Sequence, residues 1–229
     1  MRMAKAATKS VGSNGSVNRI SEHLPASEEP VVIGKAIHIP KLRIAKTVIR
    51  IIGETSLICH NFDEKTRKQM LDKQTGAATA GRAKKNVDQL FKDSLYPFPG
   101  GGYGFPANAF KLAAVRGATE LGLKMTNMRQ AFHTEGIQNE AGASLVKLIG
   151  KPTPRQDPVR LPGSADIRIR AEFLSWSCDI PVTFNVNTMS EELLLSIFQQ
   201  AGFSVGIGDW RPEKNGDHGR WRLRMANEK

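Results

Sequence analysis

Few side chains in this sequence stand at spacings that could do covalent chemistry. Cys59 and His60 are adjacent, but in an extended segment neighbours point to opposite faces, so they make a poor nucleophile and base pair. The five histidines are scattered, and no Cys-x-x-Cys or His-x-x-x-His spacing marks a metal site. Gly100-Gly101-Gly102-Tyr103-Gly104 is not a Walker loop, because no Gly-Lys-Ser/Thr follows it. What the sequence does offer is a place for an anion. The Gly-rich run leads into Phe105-Pro106, a helix starts at once, and Lys111 stands near its beginning. A helix dipole does not recruit a cation to that end. Exposed amide groups, a glycine approach and a lysine together suit a phosphate; a solvated lysine on an ordinary helix is the plainer alternative. A second basic group, Lys151, Arg155 and Arg160, is threaded among Pro152, Pro154, Pro158 and Pro162. It reads either as an extended arm that reaches across a partner or as a surface loop with no role.

Composition narrows the partner. The 229 residues include 33 Lys and Arg against 22 Asp and Glu, a formal charge of +11. Such an excess favours a polyanion, nucleic acid first and an acidic membrane surface second. With 40% hydrophobic and 24% charged residues the chain is otherwise an ordinary globular sequence, long enough to bury a core. No stretch approaches the roughly 20 apolar residues of a spanning helix. The basic N-terminus is followed by no apolar segment, so no secretory signal is expected there. Cys59 and Cys178 are the only cysteines, which argues against a disulfide framework and fits a reducing cytoplasm. No cofactor is expected.

The elements that must position these groups can be read in order. Residues 1–30 carry no apolar periodicity and read as a disordered basic tail. One domain is expected over residues 31–229, with insertions near 76–102 and 150–163. Val31 to Ile39, Leu42 to Ile52 and Thr55 to Cys59 are β-rich runs. Helices are expected over Asp63 to Leu71 and about Arg82 to Leu95. Phe110, Ala113, Ala114, Gly117, Ala118 and Leu121 form the buried stripe of the central helix, and its small residues require a close neighbour. A short helix over Met125 to Phe132 and a strand over Ser144 to Ile149 follow. The prolines of Gly150 to Gly163 exclude a helix and a central strand. Ile167, Ile169, Ala171 and Phe173 alternate with Arg168, Arg170 and Glu172, and Trp176 to Val186 alternates similarly. Both predict half-buried antiparallel strands with one solvated face. Thr188 or Ser190 caps a helix that stops at Gly202. Strands over Phe203 to Trp210 and Arg220 to Met225 are expected to flank a hairpin loop with an Asn215-Gly216 turn. The fold class is α+β, a ferredoxin-like (RRM-like) antiparallel sheet backed by helices, with insertions forming the basic arm.

Three segments in order resemble the RAMP superfamily of CRISPR-associated proteins, in particular its guide-RNA backbone subunits. They are the early strand Ile49 to Ile58 with its break at Gly53-Glu54-Thr55-Ser56, the helix-opening run Phe105-Pro106-Ala107-Asn108-Ala109-Phe110-Lys111-Leu112-Ala113-Ala114-Val115-Arg116, and the glycine loop Val205 to Arg211 continuing through Gly219 to Leu223. The chain departs from the family pattern in having Ala107-Asn108-Ala109 where Gly-Ser-Ser is usual, and its loop is poorer in Gly and Arg. The resemblance implies a cytoplasmic ribonucleoprotein in which copies of the chain stack along one RNA strand beside other subunits. It implies RNA contacts from Asn108, Lys111 and Arg116 at the helix, from Arg211, Lys214 and Arg220 in the loop, and from Arg155 and Arg160 on the arm. Trp210 and Trp221 would stack on bases, unless they are core residues as strand tryptophans usually are. Some relatives cut RNA with a loop aspartate; Asp63 is the nearest equivalent and reads more simply as an acid at a helix start, so no catalysis is expected. The competing readings are a single-stranded DNA-binding or annealing protein and a structural protein whose charge serves only solubility.

Overall fold

The computed structural model describes residues 41–61, 64–76, 86–161 and 164–225. The tail expected over residues 1–30, the run Val31 to Ile39 and Asp63 lie outside these. Alternation builds the first element: in β1 (Ile44–Gly53) Ile49 and Ile51 are buried while Val48 and Arg50 are exposed. It is followed by β2 (Leu57–Cys59), α1 (Glu64–Thr75), α2 (Val87–Asp93), β3 (Tyr96–Pro97) and β4 (Tyr103–Pro106). The central helix α3 (Ala107–Gly117) leads through a 3-10 turn to α4 (Met125–Ala131), β5 (Phe132–Thr134), β6 (Ile137–Gln138) and β7 (Ser144–Ile149). The remainder is β8 (Pro152–Leu161), β9 (Ser164–Phe173), β10 (Ser177–Asn185), α5 (Glu191–Ser204) and β11 (Trp221–Leu223).

The main sheet is antiparallel throughout, in the order β11-β1-β10-β7-β4-β3, with β5 pairing on β10 and β6 on β7. Residues 41–229 cluster as one unit. Its core joins Ile49 and Ile51 of β1 and the even-numbered residues of β10 to Phe110 and Ala114 of α3 and Ile197 and Phe198 of α5. The small stripe has the close neighbour it required. A methyl group on Gly117 would lie 2.7 Å from the Ala201 Cα of α5. Leu121, at the end of that stripe, is exposed because the helix has already tightened into the 3-10 turn.

The C-terminal third differs from expectation in three places. The proline-rich arm is not an irregular loop: β8 pairs along its whole length with β9, in a three-stranded sheet ordered β2-β9-β8. Pro152, Pro154 and Pro158 share one parity, so their missing N–H groups all fall on the outer side of an edge strand, where no ladder bond is lost. The solvated face expected for β9 is also reversed near its base. Arg170 is 2% exposed and Ile167 is 51% exposed. β9 is the middle strand there, flanked by β2 and β8 and covered by α2, so its base has no solvated face. Finally, no strand spans Phe203 to Trp210, and Asn215-Gly216 does not turn a hairpin. Ser190 caps α5, its hydroxyl accepting from the Leu193 N–H, and the helix runs past Gly202 to Ser204. Gly202 serves close packing, since a methyl group there would lie 2.1 Å from the Trp221 carbonyl. The helix ends instead at Gly206, whose φ of +69° no β-branched residue adopts readily and whose N–H bonds to the Ala201 carbonyl.

Candidate functional site

After α5 the chain runs as a loop, residues 205–220, that is bolted to β2. The Asp209 N–H donates to the Ile58 carbonyl at 3.1 Å, and the Gly219 N–H donates to the Ser56 carbonyl at 2.8 Å. Gly208 allows the contact: its φ is +79°, and a methyl group on it would lie 2.5 Å from the same Ile58 carbonyl. This loop faces α3, from its start to Arg116 in its last turn, across a cleft of about 350 Å³. Pro106, Ala109, Leu112 and Arg116 of α3 and its approach form one wall, and Asp209, Arg211, Glu213 and Lys214 come from the loop. His60 and Tyr96 close one end. No side chain caps the start of α3.

The charges around the cleft are held by named partners. Glu213 takes Arg116 Nε at 2.8 Å on one carboxylate oxygen and Arg211 Nη2 at 2.7 Å on the other. Arg211 also donates to the Gly208 carbonyl at 3.1 Å. Its donors are thereby committed to holding the loop. Arg116 differs, since only its Nε is engaged, leaving both terminal amino groups without a partner among the described residues. Lys214 is exposed.

Behind the cleft lies a chain of ion pairs that reaches into the β8–β9 hairpin. Asp209 Oδ2 accepts from Arg170 Nη1 at 2.5 Å and lies 3.1 Å from His60 Nδ1. Arg170 Nη2 donates to Asp157 at 2.8 Å, Asp157 accepts from Arg155 Nε at 2.8 Å, and Arg155 Nη1 reaches Glu172 at 2.8 Å. Ser56 donates to Glu172 at 2.6 Å and meets His218 Nδ1 at 2.8 Å. Arg155 and Arg170 are direct cross-strand partners, an arrangement that repels unless acids intervene. Asp157 and Glu172 are those acids. Burial pushes the Asp209 pKa up, but its hydrogen bonds to His60 and Arg170 outweigh burial and hold it below the usual carboxylate range. The Cys59 thiol is buried, and burial together with the Asp209 charge raises its pKa far out of reach of a nucleophile.

The structure thus divides the residues expected to bind. Arg116, Arg211 and Lys214 come together at the cleft. Asn108 is exposed on α3, and Lys111 lies beside β5 with Nζ 3.1 Å from His133 Nδ1, where burial lowers its pKa. Neither lines the cleft. Arg155 is tied into the ion-pair chain; Arg160 belongs to β8, and its side chain lies outside what the structure describes. Arg220 pairs with Glu54 at 3.2 Å and stacks over Phe203 at 5.3 Å, away from the cleft. Trp210 is 51% exposed with φ +58° and does not line the cleft, although its neighbours Asp209 and Arg211 do, whereas Trp221 is fully buried and donates to the Phe198 carbonyl. Sequence reasoning missed His60, Asp209, Glu213, Arg170 and Asp157. The acids were the available signal: in a basic chain, an aspartate directly after Gly206-Ile207-Gly208 and one between arginines on a proline-rich strand are out of place.

No family model matches the chain, and no curated protein does. Among solved structures it is similar to the crystal structure of Cmr6 from Pyrococcus furiosus, at 9% identity and a TM-score of 0.37, over 80% of this chain and 100% of that one. That likeness is too loose to carry a statement about function. No helix among the described residues is long and apolar enough to cross a membrane.

Proposed function

We propose that this chain binds single-stranded RNA in the cleft between α3 and the loop of residues 205–220. The observation that carries the reading is the meeting of Arg116, in the last turn of α3, with Arg211 and Lys214 of the loop, from distant parts of the sequence, around one cleft. Arg211 is committed to Glu213 and the Gly208 carbonyl, so Lys214 and the terminal amino groups of Arg116 are the cations left to meet the strand. Trp210, exposed in the same loop, offers a stacking surface for a base. The resemblance of the helix-opening and glycine-loop segments to RAMP backbone subunits supports a finer reading. In it the chain is a subunit of a CRISPR-type ribonucleoprotein, copies of it line up on a guide RNA in the cytoplasm, and it has no catalysis of its own. The strand order β11-β1-β10-β7, with α3 and α5 in the two crossovers, supports taking the sheet as ferredoxin-like. The β8–β9 hairpin supports the projecting arm.

The test is purification without nuclease, followed by sequencing of whatever remains bound. RNA of discrete lengths, retained by the wild-type protein and lost on changing Arg116 and Lys214 together to glutamine, is the expected result. Clean protein that afterwards binds single-stranded DNA as well as RNA would replace this reading with the annealing protein. Clean protein that binds neither ends both.

A further inference from the structure

Two polar groups facing the cleft are oriented by the protein yet have unused hydrogen-bonding capacity. Asp209 spends Oδ2 on Arg170 and His60, and Oδ1 has no partner among the described residues. Arg116 is held through Nε by Glu213, which leaves its two terminal amino groups free. A residue with a free acceptor and one with a two-pronged donor therefore line the same cleft, one from the loop and one from α3. Each is fixed by a neighbour that a bound molecule need not displace. Ala109, Leu112, Ala113 and Ile207 bring apolar surface to a lining that is otherwise charged, and Leu112 is 56% exposed. The volume of about 350 Å³ is near the lower end of the roughly 300–1,000 Å³ usual for small-ligand sites, enough for one planar base.

Among the bases, guanine fits this pair best. Its O6 and N7 accept from a guanidinium fork, and its N1–H and N2 amine donate to a carboxylate. Adenine offers N7 but places a donor where O6 would be, opposing Arg116. Uracil lacks the amine and N7. We infer that the cleft is a guanine-selective subsite, with Arg116 reading O6 and N7, Asp209 reading the N1–H and N2 edge, and Leu112 covering one side of the ring. The inference rests on the RNA-binding reading and adds base preference to it at one position of the bound strand.

The experiment swaps the base rather than the protein, because Asp209 also holds the buried Arg170 and replacing it endangers the fold. Fluorescence anisotropy is measured at fixed salt for short labelled poly-uridine strands carrying one central guanine, inosine or adenine. The guanine strand is expected to bind roughly five- to a hundredfold more tightly than the adenine strand, with inosine, which lacks the N2 amine, in between. Arg116→Gln, at an exposed site, should bring guanine and adenine level. Equal affinities for all strands in the wild-type protein would overturn the guanine subsite and leave RNA binding standing. Binding of no strand would overturn both. Competition by free guanosine monophosphate as effective as that of the guanine strand would show that the site serves a free nucleotide, overturning the assignment to a strand.

Discussion

Arg170 is the most deeply buried charged residue described. It is buried between Asp157 and Asp209, and its Nε has no hydrogen-bond partner. Removing one member of a buried pair leaves the other charge uncompensated, which typically costs about 3–5 kcal/mol. Arg170→Ala is therefore expected to lose about that much stability, read as a lower urea midpoint with an unchanged slope. Asp209 sets a pH dependence whose sign follows from its lowered pKa. Its contribution to stability is fully present above the unfolded carboxylate value of about 3.9 and is lost as pH falls through the lower folded value. The melting temperature of the wild-type protein should exceed that of Asp209→Asn at neutral pH. The gap should close as pH falls from about 4 towards about 2. A gap that persists undiminished in acid would show that the Asp209 charge is not what matters.

At the level of elements, α3 is located by contact with α5, and the cleft inherits its shape from that contact. Gly117→Ala forces a methyl group against the α5 backbone at Ala201. Overpacking of this kind costs about 1–3 kcal/mol, and α3 must move to relieve it. Lower thermal stability together with weaker RNA binding is expected, although Gly117 faces α5 and does not itself line the cleft. Ser190→Ala provides the contrast. It removes only the α5 cap, at about 1 kcal/mol, and should leave affinity unchanged once the protein is folded. The β8–β9 hairpin is anchored at its base by Arg155, Asp157, Arg170 and Glu172, and the same chain of charges ends at Asp209 in the cleft. The arm and the loop of residues 205–220 thus share one rigid footing.

For the molecule as a whole, a charge of +11 makes any binding of a polyanion salt-dependent. Each phosphate contact to a single strand contributes about 0.7 to the slope of log affinity against log salt. Lys214→Ala, at the cleft, should reduce that slope by about 0.7. Lys111→Ala should change it less, because Lys111 lies beside His133 and not in the cleft. The reverse ranking would move the RNA path to the β5 side of α3.

A β-rich composition was enough to reveal β1 and β7, and local periodicity revealed β10 and the stripe of α3, because a two- or 3.6-residue repeat reports burial whenever one face is covered and the other is wet. Composition alone pointed to an anionic partner. The glycine loop and the helix start were visible as motifs too, since their function depends on local backbone shape. Elsewhere, burial was decided by neighbours far along the chain. The alternation of β9 could not disclose that Arg170 points under a loop nearly forty residues later, and the prolines of β8 could not reveal that β9 lies along their opposite edge. Gly202 looked like a helix stop until Trp221 came to rest on it. A charge, a proline or a glycine in sequence states only what a residue tolerates. Which of Lys111, Arg116 and Arg220 faces the cleft was settled by the packing of α3 against α5 and the pinning of the loop to β2.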